Sequence, residues 1–157
     1  MPESTTARTV VRGGGVGSTQ PTGRPSAPWI CAVIDSGTYL DRGFVLGLAV
    51  AYRTAARRFE ISSGFVFGSG GYGWAFRGRL FALTGPVRPY LVGGLNYGFA
   101  GTSGAYAGGG VLVASGRAGA VSMDFFAESG VGAGTDAAGS FRFVPIIAGV
   151  SFGRSQP

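Results

Sequence analysis

Residues 43–53 read GFVLGLAVAYR and alternate between two kinds of side chain. Large apolar residues occupy every second position: Phe44, Leu46, Leu48, Val50 and Tyr52. The positions between them carry smaller residues and end on Arg53. Successive side chains of a β-strand point to opposite faces, whereas a helix would mix these two sets. The period of two therefore predicts a β-strand with one strongly apolar face.

The same alternation recurs along the chain in apolar segments that are separated by turn residues. It predicts strands at about 43–53, 58–67, 72–83, 88–99, 105–115, 119–131 and 140–152. A weaker segment, about 29–40, precedes them and would make eight. Pro145 lies inside the last segment and predicts a bulge or a position near the strand's edge, because proline cannot donate to the ladder.

The connections between these segments also alternate. Short turns are predicted at 54–57, 84–87 and 115–118, and longer Gly/Ser/Ala/Thr loops at 68–71, 100–104 and 132–139. Short turns at one end and longer loops at the other are typical of membrane β-barrels. With eight strands both chain termini fall on the short-turn side, so the topology supports a strand at about 29–40.

The two faces of the predicted strands differ in size and in polarity. One face carries large apolar residues, and the other carries mainly Gly, Ala and Ser with a few charges. Charged residues make up only 13% of the chain, against about 25% in ordinary soluble domains. Apolar residues outside and charges inside reverse the soluble pattern and fit a surface that faces lipid. The sequence therefore predicts an all-β fold, an eight-stranded antiparallel up-and-down transmembrane β-barrel.

Aromatic residues near the strand ends are candidates for the two girdles that membrane barrels place at the lipid–water interfaces. The candidates are Tyr52, Tyr72, Trp74, Tyr97, Phe99, Tyr106 and Phe152. The alternative is that they are ordinary core aromatics.

Charged residues on the small-residue face are candidates for an interior charge network. They are Arg53, Arg58, Glu60, Arg77, Arg79, Arg88, Asp124 and Glu128. Buried charges persist when they are paired, so a structural plug is favoured over a narrow polar pathway or an anion site. Arg142 shares a face with Val144 and Ile146, so either it lies at the outer rim or the register shifts at Pro145.

Two segments carry a resemblance to a known group of proteins. Residues 87–98 read VRPYLVGGLNYG, and residues 141–152 read FRFVPIIAGVSF and end on an aromatic residue. Over about residues 43–152 the chain resembles the small outer-membrane β-barrel proteins of the opacity and outer-membrane-protein β-barrel type. The resemblance implies a monomer in a Gram-negative outer membrane. It also implies contact with membrane lipid and lipopolysaccharide, and insertion by the barrel-assembly machinery.

The residue inventory argues against several chemistries. There is no histidine, so Ser-His and Cys-His nucleophile pairs are excluded, and the single cysteine, Cys31, cannot form an internal disulfide. The thirteen basic residues are scattered arginines rather than a run, which does not favour nucleic-acid binding. We expect no catalytic, cofactor or metal site.

Three functional hypotheses remain. The first is an outer-membrane barrel with a structural, surface-exposed or adhesin-like role and no enzymatic activity. The second is a soluble small β-barrel that binds an apolar ligand in the manner of a lipocalin. The third, an enzyme, is disfavoured by the missing histidine.

The first 28 residues differ from the rest of the chain. They are rich in Gly, Pro, Ser, Thr and Arg, which predicts a disordered segment at 1–28 before a barrel domain at 29–157. A secretory signal needs an apolar core, and this segment has none. Either the start codon is misassigned, or the signal has been removed, or the protein is not exported.

Overall fold

The computed structural model describes residues 29–40, 43–69, 71–118 and 121–154. The segment 1–28 that was predicted to be disordered lies outside this part of the chain. The described residues form strands and their connections: β1 (Trp29–Tyr39), β2 (Gly43–Arg53), β3 (Phe59–Gly68), β4 (Gly71–Phe81), β5 (Val87–Gly98), β6 (Ser103–Ala118), β7 (Val121–Asp136), β8 (Gly139–Phe143) and β9 (Pro145–Arg154). Within them, no helix is long and apolar enough to cross a membrane.

The strands close into a barrel in which each strand pairs antiparallel with its neighbour in sequence. The ring closes where β1 pairs with β9, from Cys31 opposite Gly153 to Tyr39 opposite Pro145. The strand predicted from topology at about 29–40 is therefore real, and it also pairs along its whole length with β2. Because β8 and β9 both pair with β7, they are two halves of one barrel strand. The predicted eight-stranded antiparallel barrel is confirmed.

The bulge expected as one alternative at Pro145 is absent, and Pro145 takes the other predicted position, at the edge of a strand, as the first residue of β9. The ladder is interrupted at Val144, but the register with β7 continues across the gap, from Gly132 opposite Phe143 to Ser129 opposite Ile146. Pro145 is buried and lies opposite Tyr39 of β1, and it has no register partner on the described strand β7. Because the register does not shift, Arg142 stays on the outer face, where it is exposed.

The predicted alternation of short turns and longer loops is also wrong. We name the end of the barrel where β1 begins and β9 ends the terminus end, and the opposite end the far end. Strands β6 and β7 are each 16 residues long and contain most of the predicted turn 115–118 and loop 132–139. Their small residues lie in paired strands rather than in loops. The pairing of β6 with β7 contains a register irregularity between Ala114 and Gly116.

The barrel has an apolar outside and charged residues inside, as predicted, and its inside also contains aromatic side chains that were not predicted. On the outer face Leu48 is 46% and Leu91 68% exposed, whereas the inward Arg53 and Glu60 are 0% and 1% exposed. A smaller set of apolar side chains packs inside with the charges, including Val33, Leu112 and Ile147.

Five inward aromatic side chains lie opposite glycines on the neighbouring strand. The register pairs are Tyr90–Gly110, Tyr106–Gly94, Phe126–Gly149, Phe143–Gly132 and Phe141–Gly134. A Cβ built on any of these five glycines would fall within 3 Å of the aromatic ring that faces it. This placement accounts for part of the high glycine content, because the ring occupies the space that a side chain would need.

Adjacent glycines on β5 provide a test of this packing. Gly94 points inward under the Tyr106 ring, and Gly93 points outward, where a Cβ would meet nothing closer than 3.9 Å. We expect Gly94→Ala to lower the free energy of unfolding by about 1–3 kcal/mol relative to Gly93→Ala, because it overpacks the lumen. Urea unfolding of the refolded full chain measures the difference. Equal effects of the two substitutions would contradict the packing account.

Candidate functional site: a buried charge chain

Three charged residues stand side by side on β2, β3 and β4. Arg53 pairs with Glu60, and Glu60 pairs with Arg79, in the strand registers. The Nε of Arg53 donates to Glu60 Oε2 at 2.8 Å, and Nη1 of Arg79 donates to Glu60 Oε1 at 2.8 Å. Each oxygen of the Glu60 carboxylate therefore faces its own arginine, which is the arrangement that stabilises a buried carboxylate.

The row continues across the lumen to Glu128 on β7. Arg79 donates from Nε at 3.0 Å and from Nη2 at 2.8 Å to Glu128 Oε2. Two phenols complete the shell of this carboxylate, because Tyr90 donates to Oε2 at 3.0 Å and Tyr106 donates to Oε1 at 3.2 Å. Glu128 thus connects opposite walls of the barrel.

The chain extends in both directions from this centre. Toward the far end, Nε of Arg77 lies 3.5 Å from Glu128 Oε1, and its Nη1 donates to Asp35 at 2.8 Å. Toward the terminus end, Arg53 donates to Asp124 at 2.7 Å. Arg88 donates to the same oxygen of Asp124 at 3.2 Å. We call these eight residues the charge chain. Their charges alternate in sign along the order Asp35, Arg77, Glu128, Arg79, Glu60, Arg53, Asp124 and Arg88.

The charges of the charge chain cancel within the lumen. It contains four arginines and four carboxylates, each at most 8% exposed. Charges removed from water persist only when they are paired and hydrogen-bonded, and alternation gives each internal member an opposite charge on both sides. The side chains of the charge chain thus cross the lumen, and each of its four carboxylates is bound to an arginine.

Arg88 ends the chain with fewer partners than the other arginines. Its Nε and Nη1 are buried without a hydrogen-bond partner among the described residues, and its Cζ lies 5.7 Å from the centre of the Phe81 ring. The Cζ of Arg53 lies over the same ring at 5.5 Å. An aromatic face attracts a guanidinium, so Phe81 supplies part of the stabilisation that hydrogen bonds supply elsewhere.

Seven of the eight residues proposed for the interior network lie in this chain, and Arg58 does not. Arg58 precedes β3, where the chain turns between β2 and β3, and its side chain is exposed. Arg57 beside it has a left-handed backbone with φ 54°, which reverses the chain before the inward alternation of β3 begins. Three residues of this site were not predicted: Asp35, which belongs to the charge chain, and Tyr90 and Tyr106, which donate to Glu128. Inward parity on β5 indicated Tyr90, whereas Asp35 lies in the weakest predicted strand.

Six of the seven candidate interfacial aromatics lie on the outer face, four of them exposed: Tyr52, Tyr72, Tyr97 and Phe99. Trp74 and Phe152 are half-buried there. The assignment of Tyr106 to an interface is wrong, because its side chain is 6% exposed and points inward to Glu128. The glycine-rich faces of β6 gave no sign of which face was inward.

A double-mutant cycle on Arg79 and Glu128 tests whether these two residues of the charge chain stabilise each other. We expect Arg79→Met or Glu128→Gln alone to cost about 3–5 kcal/mol of unfolding free energy, since each leaves one uncompensated charge in the buried network. The double variant should lose less than the sum by about 0.5–3 kcal/mol. Urea unfolding in detergent micelles measures all four proteins. Arg142→Met, on the exposed outer face, is the control and should change stability by less than about 0.5 kcal/mol. Strict additivity would show that the two side chains do not interact.

Comparisons with known proteins support the fold. The solution NMR structure of the de novo designed protein TMB2.3 superposes with a TM-score of 0.56 at 18% identity, covering 86% of this chain and 100% of that one. No protein-family model matches the chain, and no curated protein matches it significantly. At this level of identity the likeness concerns the barrel architecture alone.

Proposed function

We propose that this protein is a transmembrane β-barrel of a Gram-negative outer membrane, with a structural or surface-exposed role and no enzymatic activity. The observation that carries the proposal is where the outward charges lie. Among the described side chains, the exposed charged residues are Arg58, Arg142 and Arg154. Arg58 and Arg154 lie at the terminus end and Arg142 lies on β8 toward the far end, so the belt between them is free of exposed charge.

A lipid environment explains this belt physically. Its exposed side chains include Leu48, Val50, Phe65, Leu91 and Leu95. Apolar surface left in water costs about 25 cal/mol per Å², so a continuous belt of this kind is unfavourable in solution and favourable in a bilayer. Strands of 11 residues such as β1 and β2, at roughly 3.3 Å per residue and a tilt of about 40°, span an apolar band of about 25 Å.

Closure of the sheet fits the same environment. A sheet edge exposed to lipid would leave backbone N–H and C=O groups unpaired, at several kcal/mol each. Pairing of β1 with β9 removes that edge from the belt. The structural neighbour TMB2.3 is a designed transmembrane β-barrel, which supports this proposal.

Aromatic contacts on the outer face support an interface near the far end. Tyr72 and Tyr97 each pack against Phe99, with ring centres 5.3 Å and 6.3 Å apart. Beside them, Trp74 donates from Nε1 to Ser63 at 2.7 Å. Tyrosine and tryptophan combine an apolar ring with a polar atom and are therefore enriched at lipid–water interfaces. Membrane lipid and lipopolysaccharide are the proposed partners of this surface, and the barrel-assembly machinery is the proposed route of insertion of a monomer.

The soluble lipocalin-like alternative requires apolar residues inside and charges outside. The central lumen of this barrel instead contains the charge chain, and the outer belt is apolar. The arrangement therefore favours the membrane barrel.

Folding in detergent tests the proposal directly. The full chain, refolded into detergent micelles, should give a β-rich circular dichroism spectrum and an unboiled band that migrates faster on SDS gels than the boiled band. This shift is expected because a closed barrel resists SDS until it is heated. A protein that folds and stays monomeric in water without detergent would refute the membrane assignment.

A single outward substitution distinguishes lipid from water around the belt. Leu48 is the central residue of β2 and points outward. Leu48→Arg should cost about 2–4 kcal/mol when the protein is folded in lipid bilayers, because it places a charge near the midplane. Val87→Arg, outward at the terminus end, is the matched control and should cost about 0–1 kcal/mol. Equal, negligible costs would indicate a water-facing surface, and unfolding by urea in vesicles measures both.

A further inference from the structure

Near the far end, the inward residues on one side of the lumen are glycines rather than charged or aromatic residues. Inward positions on four consecutive strands there are glycines: Gly68, Gly71, Gly73, Gly98 and Gly104. Two pairs of them face each other in the registers, Gly68 opposite Gly71 and Gly73 opposite Gly98. This wall of the barrel therefore presents backbone rather than side chains to the lumen.

The opposite wall at the same height is aromatic. Tyr39 and Phe143 meet edge to face with ring centres 5.1 Å apart, and Phe141 packs beside Phe143 at 5.9 Å. Val45 and Val66 line the sides between the two walls. The space left between glycine backbone and aromatic rings is a largely apolar cavity of about 170 Å³.

The floor of this cavity is polar. Asn96 Nδ2 donates to the Tyr39 hydroxyl at 3.0 Å. A side-chain amide has two N–H donors and a carbonyl acceptor, and this bond uses one donor. Below the floor lies the Asp35–Arg77 pair of the charge chain. A ligand that reaches Asn96 thus meets a hydrogen-bonding group under an apolar chamber.

The described lining of the cavity reaches the far end of the barrel. Its rim includes Ser69, Ala100 and Thr102, which lie in the connections between strands. This rim lies at the far end, opposite the end of the barrel where β1 begins and β9 ends.

We propose that this cavity binds a small planar aromatic molecule that carries one hydrogen-bonding group, a ligand of the size of phenol. Its volume is close to that of apolar cavities of about 150 Å³ that hold benzene. The flat glycine wall and the rings of Phe141 and Phe143 favour a planar ligand, since aromatic rings prefer edge-to-face and offset contacts. The Asn96 amide favours a ligand with a hydroxyl or N–H group. This binding activity goes beyond the proposed role in the membrane.

Phenol is the probe that tests the site, with benzene as its apolar counterpart. Calorimetric titration of the refolded full chain in micelles, corrected by titration of empty micelles, should give saturable one-to-one binding of phenol. Val66→Phe fills the chamber and should weaken binding at least about tenfold, whereas Val50→Phe, on the outer face, should leave it unchanged. Asn96→Ala should weaken phenol binding about fivefold, the effect of one hydrogen bond, and change benzene binding little.

Two results would overturn the proposal. One is binding that does not saturate or does not exceed that of empty micelles. The other is phenol affinity that is the same in Val66→Phe as in the parent protein. The faster-migrating unboiled band shows whether each variant is folded. If Val66→Phe does not refold, Val45→Leu and Val66→Leu occupy smaller parts of the same chamber and should each weaken binding in the same direction.

Discussion

An eight-stranded barrel has a lumen just wide enough for side chains to fill, and this limit governs the structure. Several large inward residues are matched by a cross-strand partner that leaves them room. Tyr90, Tyr106 and Phe126 obtain that room from glycines directly across the ladder. The inward charged side chains also fill the lumen. Each lies beside an opposite charge to which it is hydrogen-bonded.

The alternating charge chain explains how an inside-out protein keeps polar groups in its centre. In water, charged residues cover the surface and apolar residues fill the core. Here the outer belt is apolar and the inward charges are buried, so arginine and carboxylate stabilise each other in the lumen. The centre of the chain, at Glu60, Arg79 and Glu128, is the best satisfied. Arg88 at its terminus-end limit has unpartnered nitrogens among the described residues and rests on Phe81 instead.

Much of this architecture could be predicted from sequence because period two is a direct consequence of strand geometry. Alternation indicated the faces of β2, β3 and β4, and topology indicated β1 more strongly than its own residues did. The loop lengths could not be predicted, because Gly, Ala and Ser are typical of loops and also of strands that face large rings. Gly132 and Gly134 were predicted to lie in the loop 132–139, yet they are the cross-strand partners of Phe143 and Phe141.

For the same reason the inward position of Tyr106 was missed. Its neighbours on β6 are small on both faces, so no local pattern distinguishes inside from outside. The inward position of Tyr106 is indicated by β5. In this register glycine is the only residue type at position 94 that leaves room for the Tyr106 ring. Cross-strand complementarity of this kind depends on register and cannot be derived from one segment alone.

Glycine has two opposite effects on the lumen, and the residue across the ladder decides which one occurs. Opposite an aromatic residue, as at Gly110 and Tyr90, it allows a ring to fill the barrel. Opposite another glycine, as at Gly73 and Gly98, it leaves the lumen without a side chain from either strand. The first kind of pair occurs beside the charge chain and on β8. The second kind also occurs singly, at Gly108 and Gly130, and two such pairs adjoin at the far end, at Gly68–Gly71 and Gly73–Gly98. The distribution of partners, rather than the number of glycines, therefore determines where the barrel is filled and where it remains open.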